Sequence, residues 1–77
     1  MKVLLVEDNE RVASFIVKGL QEAGHSVDHA AKGRDGMRLA ADKSYDAIIM
    51  DRMLPDQLDG LEIIKTLRKD GVRTPIL

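Results

Sequence analysis

The 77-residue sequence has no cysteine, no tryptophan and only two aromatic residues, Phe15 and Tyr45. The absence of cysteine excludes disulfide bonds, thiolate metal ligands and thiol catalysis. Two aromatic side chains provide no platform on which nucleic-acid bases could stack. The sequence also has no apolar run long enough to span a membrane, and its opening, MKVLLVED, is too short for a signal peptide. We therefore expect a cytoplasmic protein with an aliphatic core and no membrane association.

Neither sign of charge is in excess. Lys and Arg total 12, Asp and Glu total 13, the formal net charge is −1, and the hydrophobic fraction is 44%. This balance is typical of a globular domain, and it provides neither the basic surface that binds nucleic acid nor an acidic disordered tail. A chain of this length is predicted to form one small domain or part of one.

The first half of the chain predicts two strands separated by a helix. The run KVLLV, Lys2–Val6, is continuously aliphatic after its first residue, which is typical of a strand buried on both faces. Apolar residues then recur at the spacing of one helical face, at Val12, Ile16, Leu20 and Ala23. Gly24 follows, where a helix can end in the left-handed conformation. Residues Ser26–Ala30 alternate in polarity, which predicts a half-exposed edge strand.

The second half continues the alternation of helix and strand. Residues 33–46 predict a weaker helix, interrupted by Gly36, with an apolar side made of Met37, Ala40 and Ala41. The apolar run at 47–50 predicts a central strand. Asp59 and Glu62 form a capping-box pattern at the start of a third helix. The apolar stripe of that helix is predicted to consist of Leu61, Ile64 and Leu67.

The last five residues, RTPIL, predict a fourth strand that has just begun. The complete order is therefore β-α-β-α-β-α-β with short connections. Such alternation predicts a parallel sheet with right-handed crossovers and helices on both faces. In an α/β sheet of this kind, ligands bind at the carboxyl ends of the strands.

Carboxylates follow two of the predicted strands. Glu7 and Asp8 come directly after the first strand, and Asp51 comes directly after the third. If these strands are neighbours, the three acids meet at one edge of the sheet. Each pair at about 5 Å and an effective dielectric of about 20 would then repel by about 3 kcal/mol. A bound Mg²⁺ would relieve the repulsion, because it takes carboxylate, carbonyl and water oxygens as ligands, and an aspartate beside it could accept a phosphoryl group.

A purely structural interpretation is also open at this point. Aspartate after a strand often forms a turn or caps a helix, and Asp8 and Asn9 are equally good candidates for the cap of the first helix. Two histidines, His25 and His29, lie around the predicted edge strand. We expect both to be surface residues far from the acids rather than metal ligands.

Four segments carry a resemblance that covers essentially the whole chain. KVLLVEDN, YDAIIMDRMLP, DGLEIIKTLR and TPIL resemble, in this order, the receiver domain of bacterial two-component response regulators, in the OmpR-like winged-helix branch. The resemblance implies a flavodoxin-like, doubly wound parallel sheet. It also implies a signalling switch rather than a turnover enzyme, with a sensor histidine kinase as partner and DNA reached only through a separate output domain.

The resemblance assigns roles to individual residues. Asp51 would be the phosphoacceptor. Mg²⁺ would be the cofactor, bound directly by Asp8 and Asp51, directly or through water by Glu7, and by the backbone carbonyl of Met53. The acidic residues at the two strand ends would thus form one site.

Two features depart from the family pattern. Gly60 lies nine positions after Asp51, one more than is usual, so the loop that Pro55 and Gly60 shape holds an extra residue. The sequence also stops at Leu77, within the fourth strand. The family's last strand, its last two helices, and the Ser/Thr and Lys side chains that bind phosphoryl oxygens come later. We therefore expect residues 1–77 to form a partial receiver domain that binds Mg²⁺ without accepting a phosphoryl group.

An incomplete sheet suggests an alternative function. Its exposed edge and uncovered apolar face would favour pairing between copies. We therefore expect a homo-oligomer that forms through the exposed edge or by strand exchange. In the alternative interpretation, the chain is a non-catalytic, self-associating or partner-binding module that needs no Mg²⁺. A flavodoxin-like binder of small ligands is disfavoured because the sequence has no phosphate-binding loop or cofactor motif.

Overall fold

The computed structural model describes residues 1–50 and 60–77. Within these ranges three strands alternate with three helices: β1 (Lys2–Val6), α1 (Glu10–Glu22), β2 (Ser26–Ala30), α2 (Gly33–Asp42), β3 (Ala47–Met50) and α3 (Gly60–Lys69). The three strands have the predicted bounds, and Gly24 follows α1 with a φ of 91°, the predicted left-handed end. Outside the described residues lie the predicted positions Asp51, Met53, Pro55 and Asp59, and with them the extra loop residue.

All strands of the described sheet are parallel, with β1 in the middle of the order β2-β1-β3. The last residue of β1, Val6, is paired with Ala30 on one side and with Met50 on the other. This arrangement confirms the edge position of β2 within the described sheet and the predicted flavodoxin-like parallel architecture. The carboxyl ends of all three strands therefore lie at one edge of the sheet.

The predicted fourth strand is present only as a single parallel bridge between Ile48 and Ile76. Three backbone hydrogen bonds accompany the bridge. The Ile48 N–H donates to the Pro75 carbonyl at 2.8 Å, the Leu77 N–H donates to the Ile48 carbonyl at 2.8 Å, and the Met50 N–H donates to the Leu77 carbonyl at 3.2 Å. This segment therefore pairs with the outer edge of β3, but it forms one bridge rather than a full strand.

Helices lie on both faces of the sheet, α2 and α3 on one and α1 on the other. On one face Leu4, Val6 and Ile48 pack in a buried cluster with residues of α2, of α3 and of the connection to β3, namely Ala40, Tyr45, Ile63 and Leu67. Val3 and Leu5 alternate with Leu4 and Val6, so they lie on the opposite face. They are 2% and 1% exposed, and α1 packs on the β2 side of this face.

The buried stripes of α1 and α3 agree with their predicted positions only in part. Leu67 is buried as predicted, and Ile16, Leu20 and Ile64 are half-buried. In α1 the buried residue is Ala13, whereas Val12 is 41% exposed. In α3 the buried residues are Ile63 and Leu67, whereas Leu61 is 44% exposed. When apolar residues occupy a wide arc of a helix, the sequence does not determine which of them face the sheet. Packing against the sheet then determines which residues are buried. Here it selects a small side chain in α1 and two residues four apart in α3.

Helix α2 is shorter than predicted, since it ends at Asp42 instead of continuing to residue 46. Lys43 is extended, with φ and ψ of −124° and 156°. Two hydrogen bonds tie the connection to the start of β1. The Asp46 N–H donates to the Lys2 carbonyl at 2.8 Å, and the Lys2 N–H donates to Oδ2 of Asp46 at 2.7 Å. The predicted helical residues after Asp42 therefore lead into β3, and Ala41, expected on the apolar side of α2, is exposed.

Gly36 allows α2 to lie directly on the central strand. A Cβ atom built at this position would stand 2.5 Å and 3.0 Å from the two Cγ atoms of Val6. Val6 is fully buried, and its branched side chain has little rotamer freedom with which to move aside. Glycine at position 36 lowers the helix propensity of α2, as the sequence predicts. It also has no Cβ atom, and this allows α2 to pack closely on β1.

We predict that Gly36→Ala destabilises the protein although alanine is the better helix former. Overpacking of a buried contact costs about 1–3 kcal/mol, which outweighs the gain of about 1 kcal/mol in helix propensity. Gly19→Ala is the matched control, since Gly19 also lies within a helix and a Cβ there would meet no atom of the described residues within 4 Å. Urea denaturation should show a lower free energy of unfolding for Gly36→Ala and a higher one for Gly19→Ala.

Val6→Ala tests the cause. In a double-mutant cycle, the cost of Gly36→Ala should largely disappear in the Val6→Ala background, where the clashing methyl groups are absent. Equal stabilisation by the two glycine substitutions would contradict the close approach of Gly36 and Val6.

Candidate functional site: the carboxyl edge of the sheet

Glu7 and Asp8 lie at the carboxyl edge of the sheet, immediately after β1. The Glu7 N–H donates to the Ala30 carbonyl at 3.0 Å, which ties the residue to β2. Oε2 of Glu7 accepts a hydrogen bond from the Asn9 N–H at 3.2 Å. The Glu7 side chain is half-buried, and its carboxylate lies beside the turn that leads into α1.

Asn9, and not Asp8, caps α1. Its Oδ1 accepts a hydrogen bond from the Val12 N–H at 3.0 Å, and its carbonyl accepts one from the Ala13 N–H at 2.9 Å. This decides between the two cap candidates. Asp8 is exposed, and within the described part of the chain its side chain makes no hydrogen bond or ion pair. The carboxylate of Asp8 is therefore available to a ligand.

His29 is closer to the acids than the sequence pattern predicts. Its Nε2 lies 2.7 Å from the carbonyl oxygen of Glu7. The expectation that both histidines lie far from the acids is therefore wrong for His29, because this residue stands one position before the carboxyl end of β2 and reaches across to the chain leaving β1. His25, at the other end of β2, instead contacts the terminal amine of Met1 through Nδ1 at 3.1 Å.

The other two predicted ligands of Mg²⁺, Asp51 and Met53, lie outside the described residues. Among residues 1–50 and 60–77, no three His, Cys, Asp or Glu side chains converge on a possible metal position. The donors that are described do fit Mg²⁺ in kind, since the ion binds hard carboxylate oxygens and needs only one or two protein carboxylates. Glu7 and Asp8 supply two such groups side by side at the edge of the sheet.

Comparison with known proteins identifies relatives over the whole chain. The family model for the response regulator receiver domain matches residues 3–77. Transcriptional regulatory protein HprR of Escherichia coli K12 is 46% identical over 77 residues, which are 100% of this chain and 34% of HprR. The chain thus spans about a third of the length of this relative. The resemblance of the sequence to receiver domains is confirmed.

Solved structures have the same fold. The receiver domain of sensor histidine kinase PA1611 from Pseudomonas aeruginosa PAO1, with a magnesium ion coordinated in its active-site cleft, is 38% identical with a TM-score of 0.90. It is matched over 97% of this chain and 62% of its own. A complex of histidine kinase ThkA with response regulator protein TrrA gives 28% identity and a TM-score of 0.87, over 97% of this chain and 64% of the matched chain.

A second polar cluster lies away from the acids, between the middle of β2 and the residues that precede β3. The Tyr45 hydroxyl donates a hydrogen bond of 2.7 Å to Oδ2 of Asp28, and Nζ of Lys43 stands 3.8 Å from the same oxygen. Nζ of Lys2 lies 5.6 Å from the centre of the Tyr45 ring. These contacts join β1, β2 and the segment before β3.

The pKa of Asp28 is lowered from its usual value, and the pKa of Tyr45 is raised. The hydrogen bond from Tyr45 lowers the pKa of Asp28, with further help from the charges of Lys43 and Lys2, against an opposing effect of burial. Burial raises the pKa of Tyr45, and so does its hydrogen bond to Asp28. Perturbed titration can mark a functional site, but here it follows from a buried tyrosine held by its partner, so the cluster is structural.

We predict that Tyr45→Phe lowers stability by about 1 kcal/mol at neutral pH, the usual net value of one hydrogen bond. The difference from the parent should shrink below about pH 4, where Asp28 becomes protonated in the unfolded chain and then, at still lower pH, in the folded one. It should also shrink above about pH 10, where the unfolded chain ionises its tyrosine before the folded chain does.

Urea denaturation of both proteins across this pH range checks the prediction. Tyr45 is the only tyrosine in the chain, and the lysines that also titrate near pH 10 are common to both proteins, so the alkaline change in the stability difference reports on Tyr45. A stability difference that does not vary with pH would contradict the coupling of Tyr45 to Asp28.

Proposed function

Because the chain belongs to the receiver-domain family of two-component response regulators, we propose that it is part of a phosphoacceptor signalling switch, in which Asp51 accepts a phosphoryl group once the complete receiver domain is present. The observation that carries the proposal is the pairing of Val6 with Met50 in the parallel sheet. Glu7 follows Val6 and Asp51 follows Met50 in sequence. Consecutive Cα atoms are about 3.8 Å apart. The Cα atom of each acid is therefore one residue away from the end of one of two paired strands.

Three carboxylates and one carbonyl are proposed to bind Mg²⁺. Asp8 would bind directly, because its exposed side chain has no other partner among the described residues. Glu7 would bind directly or through water. Asp51 and the carbonyl of Met53 would be the remaining ligands that the protein supplies to the ion. The magnesium in the related PA1611 receiver domain supports this assignment. Bound Mg²⁺ would offset the negative charge that gathers when a phosphoryl group approaches the carboxylates.

The proposed reaction moves a phosphoryl group from a phosphohistidine to an aspartate. A carboxylate oxygen of Asp51 forms a bond to phosphorus as the bond from phosphorus to the imidazole nitrogen breaks. The electron pair of the broken bond stays on the imidazole nitrogen, and a proton from solvent on the other ring nitrogen lets the imidazole leave as the neutral ring. The product is an acyl phosphate on Asp51.

Partners and output follow from the relatives. The complex of ThkA with TrrA supports a sensor histidine kinase as phosphoryl donor. HprR, whose sequence extends well beyond the matched third, is a transcriptional regulatory protein, which supports an output through a separate DNA-binding domain. No described helix is long and apolar enough to cross a membrane. We propose that signalling takes place in the cytoplasm.

We predict that the chain binds Mg²⁺ through Asp51 and Asp8. Isothermal titration calorimetry should detect binding to the parent and its loss in Asp51→Asn and Asp8→Asn, since each substitution removes one charged oxygen ligand. Any phosphoryl adduct that a small phosphodonor forms should likewise be absent from Asp51→Asn by intact mass.

Asp46→Asn is the matched control. Asp46 precedes β3 as Asp51 follows it, and its side chain accepts a hydrogen bond from the Lys2 N–H, which an amide oxygen also accepts. This variant should bind Mg²⁺ like the parent. Binding that survives in Asp51→Asn, or no binding in the parent, would contradict the proposed site.

Self-association is the second function that we propose, and it needs no Mg²⁺. Two residues are exposed beside the bridge to β3, with Leu77 at 78% and Leu61 at 44% exposure. They border an apolar depression lined by Met50, Gly60, Leu61, Ile64, Ile76 and Leu77. An exposed apolar surface of this kind favours burial against a second copy.

We predict that the mass measured by light scattering rises with concentration and that Leu77→Lys abolishes the rise, because a charge cannot be buried cheaply in an apolar interface. Phe15→Lys is the control, since Phe15 is also 78% exposed but lies on α1. A parent that stays monomeric at high concentration would contradict self-association.

A further inference from the structure

Four hydrogen bonds fix the turn between β1 and α1. Two of them involve Glu7, whose N–H donates to the Ala30 carbonyl and whose carboxylate accepts from the Asn9 N–H. The Asn9 cap on Val12 is the third. The fourth comes from His29, whose Nε2 lies 2.7 Å from the Glu7 carbonyl oxygen. Asp8 is the residue of this turn whose side chain is left to solvent in the described structure.

The contact with His29 has a defined donor. A carbonyl oxygen can only accept, so Nε2 carries the proton and donates it to Glu7. The strand pairing of β1 with β2 ends one peptide group earlier, with the Glu7 N–H on the Ala30 carbonyl. The His29 side chain therefore holds the next peptide group after the backbone ladder has ended.

Holding this carbonyl also orients Asp8. The peptide group that joins Glu7 to Asp8 is planar, so the position of its oxygen fixes the direction of the Asp8 N–H and the position of its Cα. The carboxylate of Asp8 is one short side chain away from that Cα. Small rotations of the peptide plane would thus move the Asp8 oxygens relative to the edge of the sheet.

We infer that His29 is a positioning residue for the magnesium site, which it serves by donating a hydrogen bond from Nε2 to the Glu7 carbonyl and so orienting Asp8. This role rests on the proposed function, since it presupposes that Asp8 binds Mg²⁺. His29 does not bind the ion. It acts through the backbone, as the outer hydrogen bonds of metal sites do when they orient the groups that bind the metal.

Mg²⁺ titrations of parent and variants at one fixed pH, followed by the amide NMR shifts of Asp8 and Asn9, test the inference. His29→Ala should raise the dissociation constant about tenfold, the lower end of the usual effect of losing an outer hydrogen bond. His29→Gln retains an N–H donor at similar reach and should bind more tightly than His29→Ala. The melting temperature of His29→Ala without Mg²⁺ should fall by no more than a few degrees, the cost of one exposed hydrogen bond, so the protein stays folded while Mg²⁺ binding weakens.

His25→Ala is the matched control, since the second histidine lies at the opposite end of β2 and contacts Met1. It should leave the dissociation constant unchanged. Long-range ¹H–¹⁵N spectra of the parent should show a protonated Nε2 on His29. Three results would overturn the inference: parent-like binding by His29→Ala, equal loss of binding in His25→Ala, or no rescue by His29→Gln. Absence of Mg²⁺ binding in the parent would instead refute the proposed function itself.

Discussion

Val6 ends the central strand of the sheet, where it is paired with Ala30 of β2 and with Met50 of β3. This three-way register determines where the chain can place its chemistry, because all three parallel strands finish at one edge. The same residue packs against Gly36, so α2 is held on the strand that carries the first acids. A shift of one residue in this register would turn the buried side chains of β1 to the other face.

The polar groups at this edge differ in kind from those of the second cluster. The Tyr45 cluster is satisfied internally, since Asp28 accepts a hydrogen bond from Tyr45 and Lys43 stands nearby. At the carboxyl edge the backbone of the turn is fixed by Ala30, His29 and Asn9, while the carboxylate of Asp8 stays exposed. A hydrogen-bonded backbone that presents an exposed carboxylate is an arrangement suited to binding a cation.

The strands could be predicted from the sequence because buried parallel strands are continuous aliphatic runs with clear ends. The buried residues of the helices were less predictable. Ala13 and Ile63 are buried where Val12 and Leu61 were expected, because the rotation of a helix is decided by what it packs against. The contact of His29 with Glu7 depends on register across two strands, which a local pattern does not contain. Asp51 could be identified only by its position after a strand and by the family resemblance.

The central claim is that Glu7, Asp8 and Asp51 meet around one cation at the carboxyl edge of the sheet. Mn²⁺, which takes the same oxygen ligands as Mg²⁺ and broadens nearby NMR signals, tests it most directly. We predict saturable broadening centred on the amides of residues 7–9 and on those around residue 51, with little at Lys2 and Asp46 at the other end of the strands. Broadening centred elsewhere, or spread evenly over the acidic surface, would contradict the account.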